Sequence, residues 1–415
     1  MATKLMYTNF ANYIEKTFRI DAHYFLKGGF WLTLGQFVSI FFGLITTVLF
    51  AHFLSEADYG VYRYLIGIAA LLSSFSLTGL GQSILQTAAK KYYGFYKETL
   101  KLNFLYNLPI TLISLIGTAY YWFNGNATLA IGCALISILQ PIINTFQFIP
   151  LFLLGSKRFK ESTTLQTVRV FAISIVSVIA LLMTQSILIL FAVYLISYLL
   201  TNLISHLIYK AEGEPTPIDI KAKYIKYAKH TSVRNIIANI SQRADLILVF
   251  TQLGAVELAI YTIATIIPEQ IKGSVKNLSA LLLAKYANHP DPSQLRKSVP
   301  KRSLQLFTIL SVITFLYILI SPYVYQLIFP KYETAIFLSQ LIALSLPTAV
   351  AIIPFGILQA EMKERQLYSI NLIFSIGTLL LMLVLTLAFG LIGAVAAKIL
   401  SRYFNLFLNY FYLYR

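Results

Sequence analysis

Runs of about 20 apolar residues, the length a helix needs to cross the hydrocarbon core of a bilayer, recur twelve times in this 415-residue chain. They fall at about 30–54, 61–85, 102–123, 127–154, 163–184, 187–209, 231–252, 256–283, 303–328, 334–360, 366–388 and 391–413. The connections are mostly too short to hold a soluble domain. Inside lipid every backbone N–H and C=O must be satisfied within the segment, so such runs become helices. Only 12% of the residues are charged, about half the share a soluble domain carries. The expected fold is an all-α integral membrane protein with twelve transmembrane helices.

The 33 Lys and Arg residues test that count. With the N-terminus inside, basic residues collect before the first span and after every even-numbered one: Lys90, Lys91, Lys97 and Lys101 after the second, Lys157, Arg158 and Lys160 after the fourth. Lys331 alone among the loop cations falls on the opposite side. One missed span would scramble this alternation, so both termini are expected in the cytoplasm. A net charge of +17 then reports basic loops against anionic lipid heads, and nucleic acid is not an expected partner. The single cysteine, Cys133, lies within an apolar run, which leaves no disulfide framework and no metal-ligand cluster. Residues 1–28 lack the short apolar core and cleavage site of a signal peptide, so the first span is expected to act as an uncleaved anchor.

The organisation reads as a cytoplasmic amphipathic segment 1–29, a six-helix lobe 30–209, a basic amphipathic cytoplasmic linker 210–230 and a second six-helix lobe 231–415. In the linker, Ile220, Tyr224, Tyr227 and Ala228 share one helical face and Lys221, Lys223, Lys226 and Lys229 fill the other. That pattern fits a helix lying on anionic lipid heads and equally a solvated hinge. The lobes look like repeats: Leu54-Ser-Glu-Ala-Asp-Tyr-Gly-Val-Tyr62 can be laid over Leu253-Gly-Ala-Val-Glu-Leu-Ala-Ile-Tyr261. Both copies begin inside, which relates the lobes by a pseudo-two-fold axis along the membrane normal.

Eight cations lie within the apolar runs, Arg63, Arg169, Arg234, Arg243, Lys272, Lys276, Lys398 and Arg402, against two acids, Asp245 and Glu269. A charge at bilayer depth costs several kcal/mol unless it faces a cavity, a partner or the interface. The excess of positive charge points to an anionic cargo. Arg63, Arg169 and Arg234 are near span ends, where snorkelling to the interface is the competing explanation. Lys276 and Lys398 are intermediate, and Arg243, Asp245, Glu269, Lys272 and Arg402 lie near the midplane. Glu269 and Lys272, at i and i+3, can neutralise each other. Polar stripes at helical spacing include Gln36 and Ser39, then Gln140, Asn144 and Gln147, then Thr262, Thr265, Glu269, Lys272 and Lys276, then Lys398, Arg402, Asn405 and Asn409. Pro141, Pro150, Pro268, Pro347 and Pro354 mark expected kinks. No catalytic triad, metal spacing or phosphate-binding glycine loop appears. This argues against an ATP-driven pump or a membrane enzyme, and no cofactor is expected.

Several segments carry a family resemblance: Lys27-Gly-Gly-Phe-Trp-Leu-Thr-Leu-Gly-Gln36, Leu54-Ser-Glu-Ala-Asp-Tyr-Gly60, Gly79-Leu-Gly81, Leu153-Leu-Gly-Ser-Lys-Arg-Phe159, Asp245 and Phe329-Pro-Lys-Tyr332. Over nearly its whole length the chain resembles the polysaccharide-export branch of the MOP flippase superfamily. The resemblance implies two six-helix bundles around a central cavity that opens alternately to each side of a bacterial cytoplasmic membrane. The implied cargo is an undecaprenyl-diphosphate-linked oligosaccharide, such as an O-antigen repeat unit, and polysaccharide polymerase and assembly proteins are implied partners. On this reading the eight cations hold the diphosphate, with Arg243, Lys272 and Arg402 as the core of the anion site. Asp245 and Glu269 would serve ion coupling or balance nearby cations, and Gln36, Ser39, Gln140, Asn144, Gln147 and Asn405 would line the sugar path. The resemblance also implies that peptidoglycan-precursor flippases of the superfamily have two more helices and key arginines in the N-terminal lobe, which argues against that cargo here. A cation-coupled multidrug exporter of the superfamily is the alternative, and it would want a carboxylate in the first six spans, where there is none. A non-transporting scaffold requires every deep charge to be internally paired.

Overall fold

A segment surrounded by lipid satisfies its own backbone most simply as a helix, and the described residues do so. The computed structural model describes residues 22–209, 213–276, 292–361 and 363–415, and every regular element among them is helical. The order begins with α1 (Ala22–Phe53), α2 (Glu56–Leu72), a 3-10 turn (Ser73–Phe75) and α3 (Leu80–Ala89). Next come α4 (Gly94–Phe123), α5 (Ala127–Phe146), α6 (Ile149–Gly155), α7 (Phe159–Met183) and α8 (Ile187–Ile208). The second half holds α9 (Ile218–Leu253), α10 (Ala255–Lys276), α11 (Pro292–Ile328), α12 (Thr334–Ala343), a 3-10 segment (Leu346–Ala351), α13 (Ile352–Ala360) and α14 (Glu364–Tyr414). Eight stretches among the described residues are long and apolar enough to cross a membrane, or nine if the bent pair of α2 and α3 forms one span. Ile116, Leu182, Leu319 and Leu387 point outward with half or more of their surface exposed, as lipid-facing side chains do. The chain is a multi-pass membrane protein.

Besides the interruptions inside the runs 127–154 and 334–360, the elements differ from the expected spans in three places, each with a local cause. The run 61–85 is broken: α2 and α3 meet at a bend of 63°. Hydroxyls crowd the break, and they compete for backbone partners. Ser73 Oγ donates to the carbonyl of Ala69 at 2.8 Å and Ser76 Oγ to that of Ser73 at 2.7 Å. Residues 366–388 and 391–413 form one 51-residue element, α14, whose length of about 1.5 Å per residue is more than twice a bilayer core. It folds back at Gly390, where φ is 60° and ψ −136°. A Cβ on Gly393 would collide with the carbonyl of Leu385, and one on Gly377 with the ring of Phe404, so the two arms run antiparallel in contact.

The third difference concerns the linker. Residues 218–230 belong to the continuous 36-residue helix α9, and residues 210–212 lie outside the described residues. The apolar face expected to rest on lipid or solvent is instead largely covered by protein. Tyr224 and Ala228 are buried with Leu77, Leu80, Ile84, Phe95, Phe148 and Phe152, because the short helix α3 leaves an apolar side that α9 caps. The opposite face keeps Lys223, Lys226 and Lys229 exposed, while Lys221 reaches Glu98 at 2.9 Å.

The junctions laid over each other in sequence are both tight turns between helices. Ser55 caps α2 by accepting from the N–H of Asp58 at 3.1 Å, and Gly254 turns the chain from α9 into α10 at φ +108°. Pro150 and Pro347 mark helix interruptions, whereas Pro141 and Pro268 are accommodated inside α5 and α10. The chain divides into two compact units, one of Lys27–Arg243 and one built on Ala244–Arg415.

Candidate functional site

The broken helix of the first unit opens a polar cavity of about 280 Å³, lined by Ser73, Ser74, Ser76, Thr78, Gln147, Asn239, Gln242 and Arg243 together with Ala70 and Phe148. Its floor is held by close backbone approach. The N–H of Gly79 donates to Ser232 Oγ at 2.8 Å, and a Cβ at Gly79 would collide with the carbonyl of Ala228. Behind the wall runs a neutral amide network. Ser73 Oγ accepts from Gln140 Nε2 at 2.9 Å and from Asn144 Nδ2 at 3.2 Å. Asn103 Nδ2 donates to the carbonyls of Asn144 and Thr145 at 3.2 and 3.1 Å, and Asn107 Nδ2 to that of Asn103 at 2.8 Å. The Thr78 hydroxyl is buried without a partner among the described residues. A cavity edged by hydroxyls, amides and one guanidinium suits a polyhydroxylated or anionic group better than an apolar one.

Arg243 links this cavity to a second feature of the same unit. Arg63 on α2, Arg169 on α7 and Arg243 on α9 all lie within electrostatic reach of the Tyr194 phenol on α8. Arg169 donates to Asn202 Oδ1 at 3.3 Å and stacks over the Tyr198 ring at 5.3 Å. Arg63 lies beside Tyr59 and Tyr62 as well. None of the three is ion-paired among the described residues, and the Nε atoms of Arg63 and Arg169 are buried without hydrogen bonds there. Three guanidiniums from three helices thus reach one phenol with no carboxylate paired to them among the described residues, and guanidiniums are the groups best suited to bidentate contacts with phosphate or carboxylate oxygens.

The deep charges of the second unit are arranged differently. Lys398 Nζ lies 2.9 Å from Asp245 Oδ2 and 3.1 Å from Glu269 Oε1, with the Tyr261 ring beneath it at 5.3 Å. Tyr261 Oη donates to the same Asp245 oxygen at 3.0 Å. Arg402, only 6% exposed, bonds Glu269 through one terminal nitrogen and Ser345 Oγ through the other at 2.8 Å. Lys272 adds a further positive charge beside Glu269. Two carboxylates and two buried cations thus close on one another.

The remaining sequence candidates separate by position. Gln147 lines the cavity, and Gln140 and Asn144 form the network behind it. Asn405 accepts from Asn409 through its carbonyl at 2.8 Å. Gln36 and Arg234 are exposed and Ser39 is half-buried, and none of these three joins either cluster. The side chain of Lys276 lies outside the described residues. Arg243 and Asp245 go to different clusters, as two residues of one helix spaced two apart must. Residues passed over in the sequence include Tyr194, Asn202, Asn239, Gln242 and the Ser73–Thr78 hydroxyls. The run Ser73-Ser-Phe-Ser-Leu-Thr-Gly79 carried a readable signal, a turn composition in the middle of an apolar stretch. Asn103, Asn107, Thr111 and Ser114 also show helical spacing.

Residues 25–276 match the family described as polysaccharide biosynthesis protein. The chain belongs to this family. No curated protein sequence matches it. Among solved structures, it is similar to the inward closed conformation of the lipid II flippase MurJ, with a TM-score of 0.70, 16% identity, and coverage of 92% of this chain and 87% of that one. An outward-facing multidrug resistance MATE transporter of the MOP superfamily aligns with a TM-score of 0.65 at 13% identity over 94% of both chains. A MOP superfamily transporter from Pyrococcus furiosus, described as having a binding pocket of reverse polarity, aligns with a TM-score of 0.64 at 12% identity over 94% of this chain and 95% of that one. The fold of this member of the polysaccharide biosynthesis family is that of MOP-superfamily transporters and flippases.

Proposed function

We propose that the protein is a flippase, not an enzyme, which moves polyprenyl-diphosphate-linked oligosaccharides from the inner to the outer leaflet of a bacterial cytoplasmic membrane. The observation that carries this reading is the trio Arg63, Arg169 and Arg243 around Tyr194, unpaired with any carboxylate among the described residues and joined through Arg243 to a hydroxyl-lined cavity. Guanidiniums bind phosphate oxygens by charge-assisted, often bidentate hydrogen bonds. The adjoining hydroxyls and amides suit the sugar attached to that phosphate. An inside-negative potential pushes a diphosphate outward by about 2.3 kcal/mol per charge per 100 mV, so direction requires no nucleotide.

This assignment keeps Arg243 from the expected core of the anion site but replaces Lys272 and Arg402 with Arg63 and Arg169, so that all three arginines belong to the unit Lys27–Arg243. Arg402 and Lys398 stay in the protein's charge balance but are committed to Glu269 and Asp245. The same pairing argues against a multidrug exporter, which needs a free intramembrane carboxylate for a cationic drug. A peptidoglycan precursor becomes the second reading, favoured by the arginine cluster in the first unit. Twelve spans in two lobes, 30–209 and 231–415, remain part of the proposal. The α2–α3 pair and the α14 hairpin each complete a count, and α9 and α10 cross as polar-faced helices. Anionic lipid heads are the proposed partners of Lys223, Lys226 and Lys229.

Deleting the gene and analysing lipid-linked glycans tests the reading. The proposal requires a lipid-linked repeat unit to accumulate on the inner leaflet, with unchanged drug susceptibility. Accumulation of a peptidoglycan precursor would select the second reading, and no accumulation of any lipid-linked glycan would overturn both.

A further inference from the structure

The second unit raises a separate question, since its charges are not arranged to receive an anion. Asp245 comes from the last third of α9 and Glu269 from the middle of α10, and one ammonium, Lys398 from the second arm of α14, touches both. Two carboxylates from different helices converging on one small cation, with a tyrosine hydroxyl on one of them, is the donor set a bound alkali ion would use. Here the cation is covalently attached. Lys398 and Asp245 are only 16% and 14% exposed as side chains, while Glu269 opens to 39%, which leaves one accessible end. Thr262, one residue from Tyr261 and two turns from Glu269 on the same face of α10, has a buried hydroxyl with no partner among the described residues.

The charges explain why the tether matters. Glu269 is shared with Arg402 and lies beside Lys272, so it stays compensated without Lys398. Asp245 pairs with no other cation among the described residues: it accepts from Tyr261 Oη and from the N–H of Leu246 at 2.9 Å, both neutral donors. A buried carboxylate left without a counter-charge either takes up a proton or recruits an ion.

We propose that Asp245 and Glu269 form a monovalent-cation site which this chain keeps filled with its own Lys398 ammonium, so that the second unit takes up no free ion. A variant without the ammonium would bind an alkali cation such as Na+ in its place. The consequence is that wild-type protein has no coupling ion at this site, whatever its cargo.

The test is ion binding to purified full-length protein, which is independent of transport. Radiolabelled Na+ binding and melting temperature are measured in NaCl and in choline chloride of equal ionic strength, for wild type, Lys398→Ala, and Lys398→Ala combined with Asp245→Asn. Wild type should show no Asp245-dependent Na+ binding and the same melting temperature in both salts. Lys398→Ala should bind Na+ saturably and melt higher as Na+ rises, as linkage requires, and the double variant should lose both effects. If Lys398→Ala cannot be purified, Lys398→Met, which preserves most of the side-chain stem, takes its place. Saturable Na+ binding by wild type that Asp245→Asn abolishes would overturn the proposal, as would a folded Lys398 variant indifferent to Na+.

Discussion

Arg402 and Arg243, both arginines near the midplane in sequence, should behave oppositely when truncated. Arg402 is 6% exposed and bonded to Glu269 and Ser345. Breaking a buried ion pair by removing one partner costs about 3–5 kcal/mol. Lys398 remains 3.1 Å from Glu269 and that carboxylate is 39% exposed, which places Arg402→Ala at the lower end, about 3 kcal/mol. At roughly 2–4 °C per kcal/mol for a unit of this size, the melting temperature should fall by about 6–12 °C. Arg243 is exposed and outside any ion pair among the described residues, so Arg243→Ala should change stability by no more than about 0.5 kcal/mol. Monodispersity of detergent-purified protein after heating, read by size-exclusion chromatography, reports both. Combining Arg402→Ala with Glu269→Ala should recover part of the loss, because it removes the charge left behind. If Arg402→Ala melts with wild type while Arg243→Ala falls, the division into a structural and a binding arginine is wrong.

Three further expectations follow from single contacts. Ser73→Ala removes the acceptor shared by Gln140 and Asn144 and should destabilise the first unit by about 1–3 kcal/mol, visible as a lower melting temperature; an unchanged one would mean water replaces the hydroxyl. Gly79→Val places a side chain against the backbone of Ala228 and Ser232, so folded yield should collapse, whereas Gly43→Ala, with open space around it, should express normally. Outside the spans, Arg296 grips Glu361 through two bonds of 3.0 and 2.5 Å, with Lys363 at 3.2 Å, and holds its carboxyl below the usual range. A depressed carboxyl contributes stability that is complete above its unfolded value near 4.5 and lost as pH falls through the folded one. The melting difference between wild type and Glu361→Gln should therefore be constant above about pH 5 and shrink at lower pH; a pH-independent difference would refute the link.

Helix type and membrane class were legible because both follow from local composition. A run of 20 apolar residues has few alternatives, and the break between α1 and α2 was marked by Ser55 and Asp58. Charge pairing was not legible, because Lys398 meets Asp245 across 153 residues of chain and no spacing rule reaches that far. The same limit hid the arginine trio: on their own helices Arg63 and Arg169 were as well explained by snorkelling as by a cavity, and the phenol that all three arginines reach, Tyr194, lies on a fourth helix. The α14 hairpin was anticipated as two spans, yet the single glycine at its turn, Gly390, gave no clue to how closely the arms pack. The broken helix was missed because its flanks are apolar enough to mask the hydroxyl run between them.

Translocation in proteoliposomes tests the central claim most directly. A polyprenyl-diphosphate oligosaccharide is placed in one leaflet, and exposure of its glycan on the other side is followed with an impermeant reagent. The account predicts transfer by wild type and a fall of about 10- to 150-fold for Arg63→Gln, Arg169→Gln or Arg243→Gln, as expected for losing a charge-assisted hydrogen bond of about 1.5–3 kcal/mol. Wild-type rates in all three variants, or no transfer by the wild-type protein, would contradict it.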